Sequence, residues 1–537
     1  MGNCLALPSC HLCKKTKALP ITKMFNLPSP LPTWPPGTGF ASGSINLGGL
    51  EVCQVSTFTK VWATLEGGLD NLGATFFEPS SIPVGFFMLG CYSQPNNKPL
   101  FGWVLAGKDN GIDALKMPVD YTLVWSSESL KIKQDGNGYI WLPTPPEGYR
   151  AMGHVVTSSP EKPPLDKIRC ARLDLTDQCK LDALIWRADK ESSTNGLKID
   201  VYGLRPTITT GTQPQGVYTG AFIAQVGDGD VASSLPIACL RNTNGSNLSA
   251  MPNLSQIKAL VEAFSPWIYF HPNELYLPSS VSWFFNNGAL LYKKGEESKP
   301  ELIDSNGINL PQGGSNDGTY WLDLPIDGGA KEKVKKGDLQ SSQVYLHVKP
   351  MFGATFTDIS LWVFYPFHGP VRAKVVLINI LLGKTGEHVG DWEHITLRIS
   401  NFTGELWRVY FSKHGKGKWL DASQVEFEGG NKVVSYASLN GHGFYPKAGL
   451  VLQGNTRLGI GIRNDTSKSK IVMDTGLRSD IVSAKYLDTV IEPPWLNFAG
   501  KWGPKISYET AEEVIESLPH EGSTGPKMKN CWNGDEA

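Results

Sequence analysis

Gly386-Glu387-His388-Val389-Gly390-Asp391-Trp392-Glu393-His394-Ile395-Thr396-Leu397-Arg398-Ile399 gathers three acids, two histidines and a tryptophan into eight residues, then continues as a plain β pattern. Read with a period of two, Ile395, Leu397 and Ile399 share one face, and Asp391 and Glu393 fall on that same face. Carboxylates in line with a buried apolar stripe need a cation or strong donors opposite them.

Thr403-Gly404 separates this strand from Leu406–Lys413 and predicts a hairpin, for which two registers compete. A three-residue loop pairs Ile395 with Phe411, Leu397 with Val409 and Ile399 with Trp407, and sets Glu393 against Lys413 as an ordinary cross-strand ion pair. A four-residue loop sets Asp391 against His414 but puts Arg408 against Leu397. Hydrophobic matching favours the first, so His414 joins the acids only through a bulge at Gly415. The second reading of the stretch is a metal site. Asp391 and Glu393 offer hard oxygens, and Gly390 lets the chain turn His388 towards them. One imidazole with two carboxylates suits a divalent cation such as Mg²⁺, Ca²⁺ or Mn²⁺. Lys413, His414 and His442 stand as its surrounding residues.

The chain has 537 residues, too many for one core, and this predicts two or three domains. Its 50 basic and 51 acidic residues create no global field towards nucleic acid. With 57 Gly, 37 Pro and 10% aromatics, many short strands joined by tight turns are expected over long helices. The longest apolar run, Val375 to Leu382, is interrupted by Asn379 and is too short to span a bilayer. Nine scattered cysteines, with a lone Cys10-His11-Leu12-Cys13 pair, predict a reduced, cytoplasmic chain. No Ser, Cys or Lys sits in a nucleophile motif, and the glycine-rich turns lack the helix that phosphate cradles need.

Met1-Gly2-Asn3-Cys4 lacks a secretion signal and is similar to an N-myristoylation start, with Gly2 as acceptor, Cys4 as a neighbouring palmitoylation site, and Ala6 where Ser or Thr is usual. Residues 1–45 are expected as a flexible leader rich in Pro and Gly. Next, Pro83-Val84-Gly85-Phe86 followed by Leu89-Gly90 recurs as Pro146-Glu147-Gly148-Tyr149 followed by Met152-Gly153. A weaker third copy is Pro214-Gln215-Gly216-Val217 with Gly220. Repeats of this length with a glycine at each turn predict stacked β units, hence a threefold, β-prism-like domain over 46–226. Polar residues mark a linker over 227–252. Asn253 caps a helix with Leu254, Ile257, Leu260, Val261 and Phe264 on one face, stopped by Pro266. Beyond it, short aromatic and β-branched runs predict a β-sandwich over 253–525, with a short helix over 510–518 and a tail over 526–537.

The repeats resemble the β-prism domain named for multivesicular-body association and the recurring segment of vacuolar-protein-sorting-13-type proteins. Those resemblances imply binding to membranes or endosomal partners. Phe364–Pro370, Gly386–Ile399, Val409–His414 and Gly461–Thr466 resemble plant proteins grouped as vacuolar protein sorting-associated protein 62, a domain of unknown function. That implies a link to vacuolar or endosomal sorting. Glu387-His388-Val389-Gly390-Asp391-Trp392-Glu393 also resembles the GHRHDWE heptad of NPP-type necrosis-inducing proteins. There the first His, the Asp and the Glu hold a divalent cation used in lipid-headgroup binding, which implies the same role for His388, Asp391 and Glu393. Glu387 and Gly390 depart from that heptad. The expectation is a peripheral membrane protein that binds lipid headgroups or glycans with one divalent cation. The alternatives are a metal-dependent hydrolase using Asp391 and Glu393 with His414 as base, and a purely structural interaction protein.

Overall fold

The computed structural model describes residues 23–207, 215–227, 235–244, 248–375, 378–381, 384–413, 416–455, 457–506 and 522–536. Gly2, Cys4, the Cys10/Cys13 pair, His414 and the helix expected over 510–518 lie outside these residues. Among the described residues the α-helices are Leu254–Phe264, Val281–Asn286 and Gly328–Lys335, and the regular structure is otherwise mainly strand.

The first half is three consecutive units of two small antiparallel sheets each, spanning Ser44–Asp109, Leu115–Arg172 and Thr176–Arg241. One tryptophan from each unit meets the others at the centre. The ring centroids of Trp62, Trp125 and Trp186 are 5.7, 6.0 and 6.1 Å apart, and all three side chains are buried. At a second level the chains approach so closely that a β-carbon on Gly153 would lie 2.7 Å from the α-carbon of Gly90 and 2.9 Å from the Ala221 side chain. Here the repeat glycines have a packing reason, and the third unit supplies Ala221, not Gly220. Part of the segment read as a linker belongs to this domain. Cys239–Arg241 pairs with Thr176–Asp177 and Gly216–Val217, so the third unit closes well after residue 226. The reason is the short apolar run Ile237–Leu240, which is fully buried.

The second half is a sandwich. A six-stranded sheet runs in the order Lys416–Asp421, Leu406–Lys413, His388–Ser400, Phe356–His368, Val344–Met351, Ser479–Ser483. Facing it is a smaller sheet that includes Lys432–Ala437, Trp267–Tyr269 and Val472–Asp474. Between them Leu361, Val363, Ile395 and Leu397 pack on Ile268, Phe270, Val433 and the apolar side of helix Leu254–Phe264. That helix starts as its residues dictate: Asn253 accepts from the Gln256 amide, and the Gln256 side chain accepts from the Asn253 amide.

The other face of the large sheet is covered too. Trp362, Phe364 and Trp392 pack on Phe284, Phe285, Trp495, Trp502 and Trp532. Hence the Phe356–His368 strand is buried at every residue, and the His388–Ser400 strand at all but His388. The span read as a tail forms part of this cover. Lys349 donates to the carbonyls of Cys531 (2.6 Å) and Gly534 (2.7 Å). At the other end of the chain, Phe25, Leu27, Leu31 and Trp34 from the span read as a leader pack against the sandwich core. The two halves share a core of Leu50, Val52, Leu105 and Trp103 with Met351, Phe356 and Phe402.

Candidate functional site

The hairpin adopts the three-residue-loop register at Ile395↔Phe411 and Leu397↔Val409. It then shifts, so Ile399 faces Leu406 rather than Trp407. Glu393 lies opposite Val363 on its other side, and its carboxylate accepts from the Ser412 hydroxyl. Lys413 carries its ammonium 4.9 Å over the Tyr445 ring.

Asp391 and Glu393 do lie on the face that continues Ile395 and Leu397, and the partner of Asp391 comes from a distant turn. His442 Nδ1 donates to Asp391 Oδ2 at 3.0 Å. The His442 ring stacks on Tyr365 with centroids 3.9 Å apart and planes 3° from parallel. His442 is fully buried and holds a left-handed backbone (φ +57°), a strained state for a residue with a β-carbon. Its Nε2 is 4.0 Å from Glu274 Oε1. Glu274 is fixed by three backbone amides, those of Leu275, Tyr276 and Asn440. His388 stacks on His368 at 4.6 Å, and its Nδ1 is 3.1 Å from the Gly390 carbonyl. Gly390 is required here: its φ is +65°, and a β-carbon would lie 2.2 Å from the Trp502 carbonyl.

The electrostatics follow from this packing. Burial alone would raise the Asp391 carboxyl, but the His442 hydrogen bond and the charges of neighbouring imidazoles hold it well below the usual range. Burial would likewise lower His442, yet Asp391 and the charges of Glu274 and Glu393 raise it. Burial pushes His388 down. Of these imidazoles, His442, hydrogen-bonded to Asp391, is the one pushed towards its charged form. Among the described residues, two buried atoms beside these carboxylates, the Tyr365 hydroxyl and His442 Nε2, have no hydrogen-bond partner. Among the described residues, His388, Asp391 and Glu393 do not bring three ligand atoms within 4.8 Å of one another, whereas His394, Cys531 and Glu536 do. Sequence reasoning placed His442 only at the margin and missed Glu274 and His368. His368 lies within Phe364–Pro370, and the imidazole two residues before Pro370 was the available signal.

A second feature comes from the apolar run Val375–Leu382. Arg372–Val375 and Ile378–Leu381 form a hairpin that continues through Ile460–Thr466 to Gly449–Asn455. The register aligns Ile380, Ala373, Ile462 and Gln453 in one row and Ile378, Val375, Ile460 and Asn455 in the next. With strand alternation, these rows and Val451 share one face. Val375, Ile378, Ile380, Val451 and Ile460 on it are 38–66% exposed. The opposite face is mixed: Arg463 binds Asp465 at 2.6 Å and Arg372 reaches the same carboxylate at 3.3 Å, with Leu450 and Leu452 beside them. Val451 also borders a cleft of about 660 Å³ whose lining includes Lys413, Lys418 and Lys447 with Glu426, and Lys98, which is paired with Asp421. No helix among the described residues is long and apolar enough to cross a membrane.

Fold and site define a mainly β protein in two parts, with a buried acid–imidazole cluster in the second and an amphipathic sheet exposed beside it. Residues 21–520 match the family model described as vacuolar protein sorting-associated protein 62. The chain belongs to that family. A Saccharomyces cerevisiae protein of that description is 26% identical over 196 residues, which cover 33% of this chain and 39% of the yeast protein. The match thus spans about two fifths of that relative. Among solved structures, GNIP1Aa from Chromobacterium piscinae is 20% identical over 40% of each chain, with a TM-score of 0.29. Necrosis and Ethylene inducing Protein 2 from the agent of cocoa's Witches Broom disease is 15% identical over 35% of this chain and 67% of its own, with a TM-score of 0.20. NLPPya in complex with glucosamine is 14% identical over the same shares, also at 0.20. Likenesses this partial carry no functional argument.

Proposed function

We propose that this protein is a peripheral membrane component of vacuolar sorting that docks on anionic bilayers. The observation that carries the reading is the exposed apolar face of Val375, Ile378, Ile380, Val451 and Ile460. Contiguous aliphatic surface of this kind marks an interaction site. The lysine-lined cleft at Val451 selects the occupant, because apolar residues beside cationic side chains suit the interface of an anionic membrane. The family supports a place in sorting. An acyl chain on Gly2, with a second on Cys4, would add an anchor, since one chain alone binds only marginally.

The test is co-sedimentation with vesicles of phosphatidylcholine alone and with added phosphatidylserine. Binding should require the anionic lipid, fall with salt, and be lost in an Ile378→Asp/Ile460→Asp variant. Retention unchanged in that variant would overturn the reading. In cells, Gly2→Ala should move the protein off membranes; unchanged partitioning would remove the acyl anchor while leaving the sheet face in place.

A second reading keeps a divalent cation at Asp391 and Glu393 with His388. It rests on the burial of both carboxylates on one face of the strand, where a cation would offset their lost hydration. Metal analysis of the purified protein beside its His388→Ala variant decides it. Equal metal content in both would remove His388 as a ligand. The hydrolase alternative needs His414, outside the described residues, and turnover abolished by a chelator and restored by one metal would be its signature.

A further inference from the structure

We propose a metal site, for a zinc-class ion, on the opposite face of the His388–Ser400 strand, with His394, Cys531 and Glu536 as its protein ligands. Because side chains alternate, His394 points away from Glu393 and into the aromatic cover, where its ring stacks on Trp362 at 4.2 Å. There an imidazole nitrogen, a sulfur and a carboxylate oxygen lie within 4.8 Å of one another. Tetrahedral zinc with bonds of about 2.0–2.3 Å sets its donors about 3.3–3.8 Å apart, within reach of side-chain adjustment.

Within that convergence, one oxygen of Glu536 lacks a partner among the described residues. Its Oε1 pairs with His394 Nε2 at 3.1 Å and accepts from Thr396 at 2.9 Å, while its Oε2 is buried with no hydrogen bond among the described residues. The side chain is 1% exposed. A carboxylate oxygen held that way lacks compensation for lost water, and a cation supplies it. The segment bearing two of the ligands is held from elsewhere: Trp419 donates to the Glu536 carbonyl (2.7 Å), Arg398 to Asp535 (2.7 Å), and Lys529 to the Trp392 carbonyl (2.7 Å). One sulfur, one imidazole and one carboxylate suit a borderline-soft ion, and three protein ligands leave a fourth position for water or another donor. Binding displaces the protons of His394 and the Cys531 thiol and leaves thiolate–metal, imidazole–metal and carboxylate–metal bonds. The site would fasten residues 522–536 to the sheet.

The experiment uses the full chain with Cys4→Ser, Cys10→Ser and Cys13→Ser, which removes the N-terminal thiols. The protein is loaded with Co²⁺ or Zn²⁺, desalted and analysed for metal, and the cobalt form is read for thiolate-to-cobalt charge transfer in the near ultraviolet. One retained equivalent and a charge-transfer band are expected. The band should be lost in Cys531→Ser and unchanged in Asp391→Asn, which separates this site from the cation reading above. A band that survives Cys531→Ser, or no stoichiometric metal at all, overturns the proposal. Far-ultraviolet circular dichroism of the variant establishes that it folds, and Glu536→Gln, expected to weaken zinc retention at least tenfold, supplies a second test that spares the thiol.

Discussion

Asp391 and His442, 51 positions apart in the chain, share a 3.0 Å hydrogen bond between two buried side chains, with the histidine ring held flat against Tyr365. A strand carboxylate thus finds its counter-charge on a turn rather than on the neighbouring strand of its hairpin. The strained backbone of His442 persists because stacking and ion pairing both fix it.

Removing one member of such a pair strands the other charge in the interior. Asp391→Ala should cost about 3–5 kcal/mol, measured as a shift in urea midpoint at constant slope. A loss below about 1 kcal/mol would show that His442 finds relief elsewhere.

The centre of the threefold domain makes a packing prediction. Trp125→Ala should cost about 3–5 kcal/mol, because Trp62 and Trp186 cannot both close the void. Gly153→Ala adds a single methyl but directs it at the Gly90 backbone, so about 1–3 kcal/mol is expected. Differential scanning calorimetry of both variants checks this, and a neutral Gly153→Ala would mean the units can slide apart.

Acid should loosen the same domain through His154. Burial pushes this imidazole down to about 4, with the Trp141 carbonyl 3.2 Å from Nδ1 offsetting only part of the effect. In the unfolded chain it titrates near 6.5. The unfolded state therefore binds the extra proton first. Stability is full above about pH 6.5 and declines as pH falls towards 4, by roughly 3 kcal/mol in all. His154→Phe should flatten that limb of the pH–stability curve; an unchanged limb would assign it to other groups.

The contact between the two halves has its own acid limit. Lys98 of the first half and Arg408 of the second both bind Asp421. Burial would raise this carboxyl, and the two cations more than offset it, so its value is lowered. Its contribution is present above about pH 3.9 and is lost as pH falls through the folded value. A Lys98→Met/Asp421→Asn cycle should give a coupling of about 0.5–3 kcal/mol near neutral pH that vanishes in strong acid. Coupling that persists there would refute the assignment.

What the sequence determined by itself is what short-range chemistry controls. Period-two alternation in Ile395–Ile399, glycine-marked turns 63 residues apart, and the Asn253–Gln256 capping box lead to a mainly β chain with a repeated first half and a capped helix at the start of the second. Hydrophobic matching also sets Ile395 against Phe411, because both must face the same core. The long-range partners followed from tertiary structure alone. The sequence sets His442 only among the residues surrounding Asp391 and gives no sign of Glu274, and nothing near His394 points to Cys531 and Glu536, since these meetings depend on how distant loops are laid over the sheet. The fate of Val375–Leu382 is the same kind of case. Its composition excludes a membrane span, and only the sheet it joins shows that Val375, Ile378 and Ile380 stay exposed, with no element among the described residues packed across them.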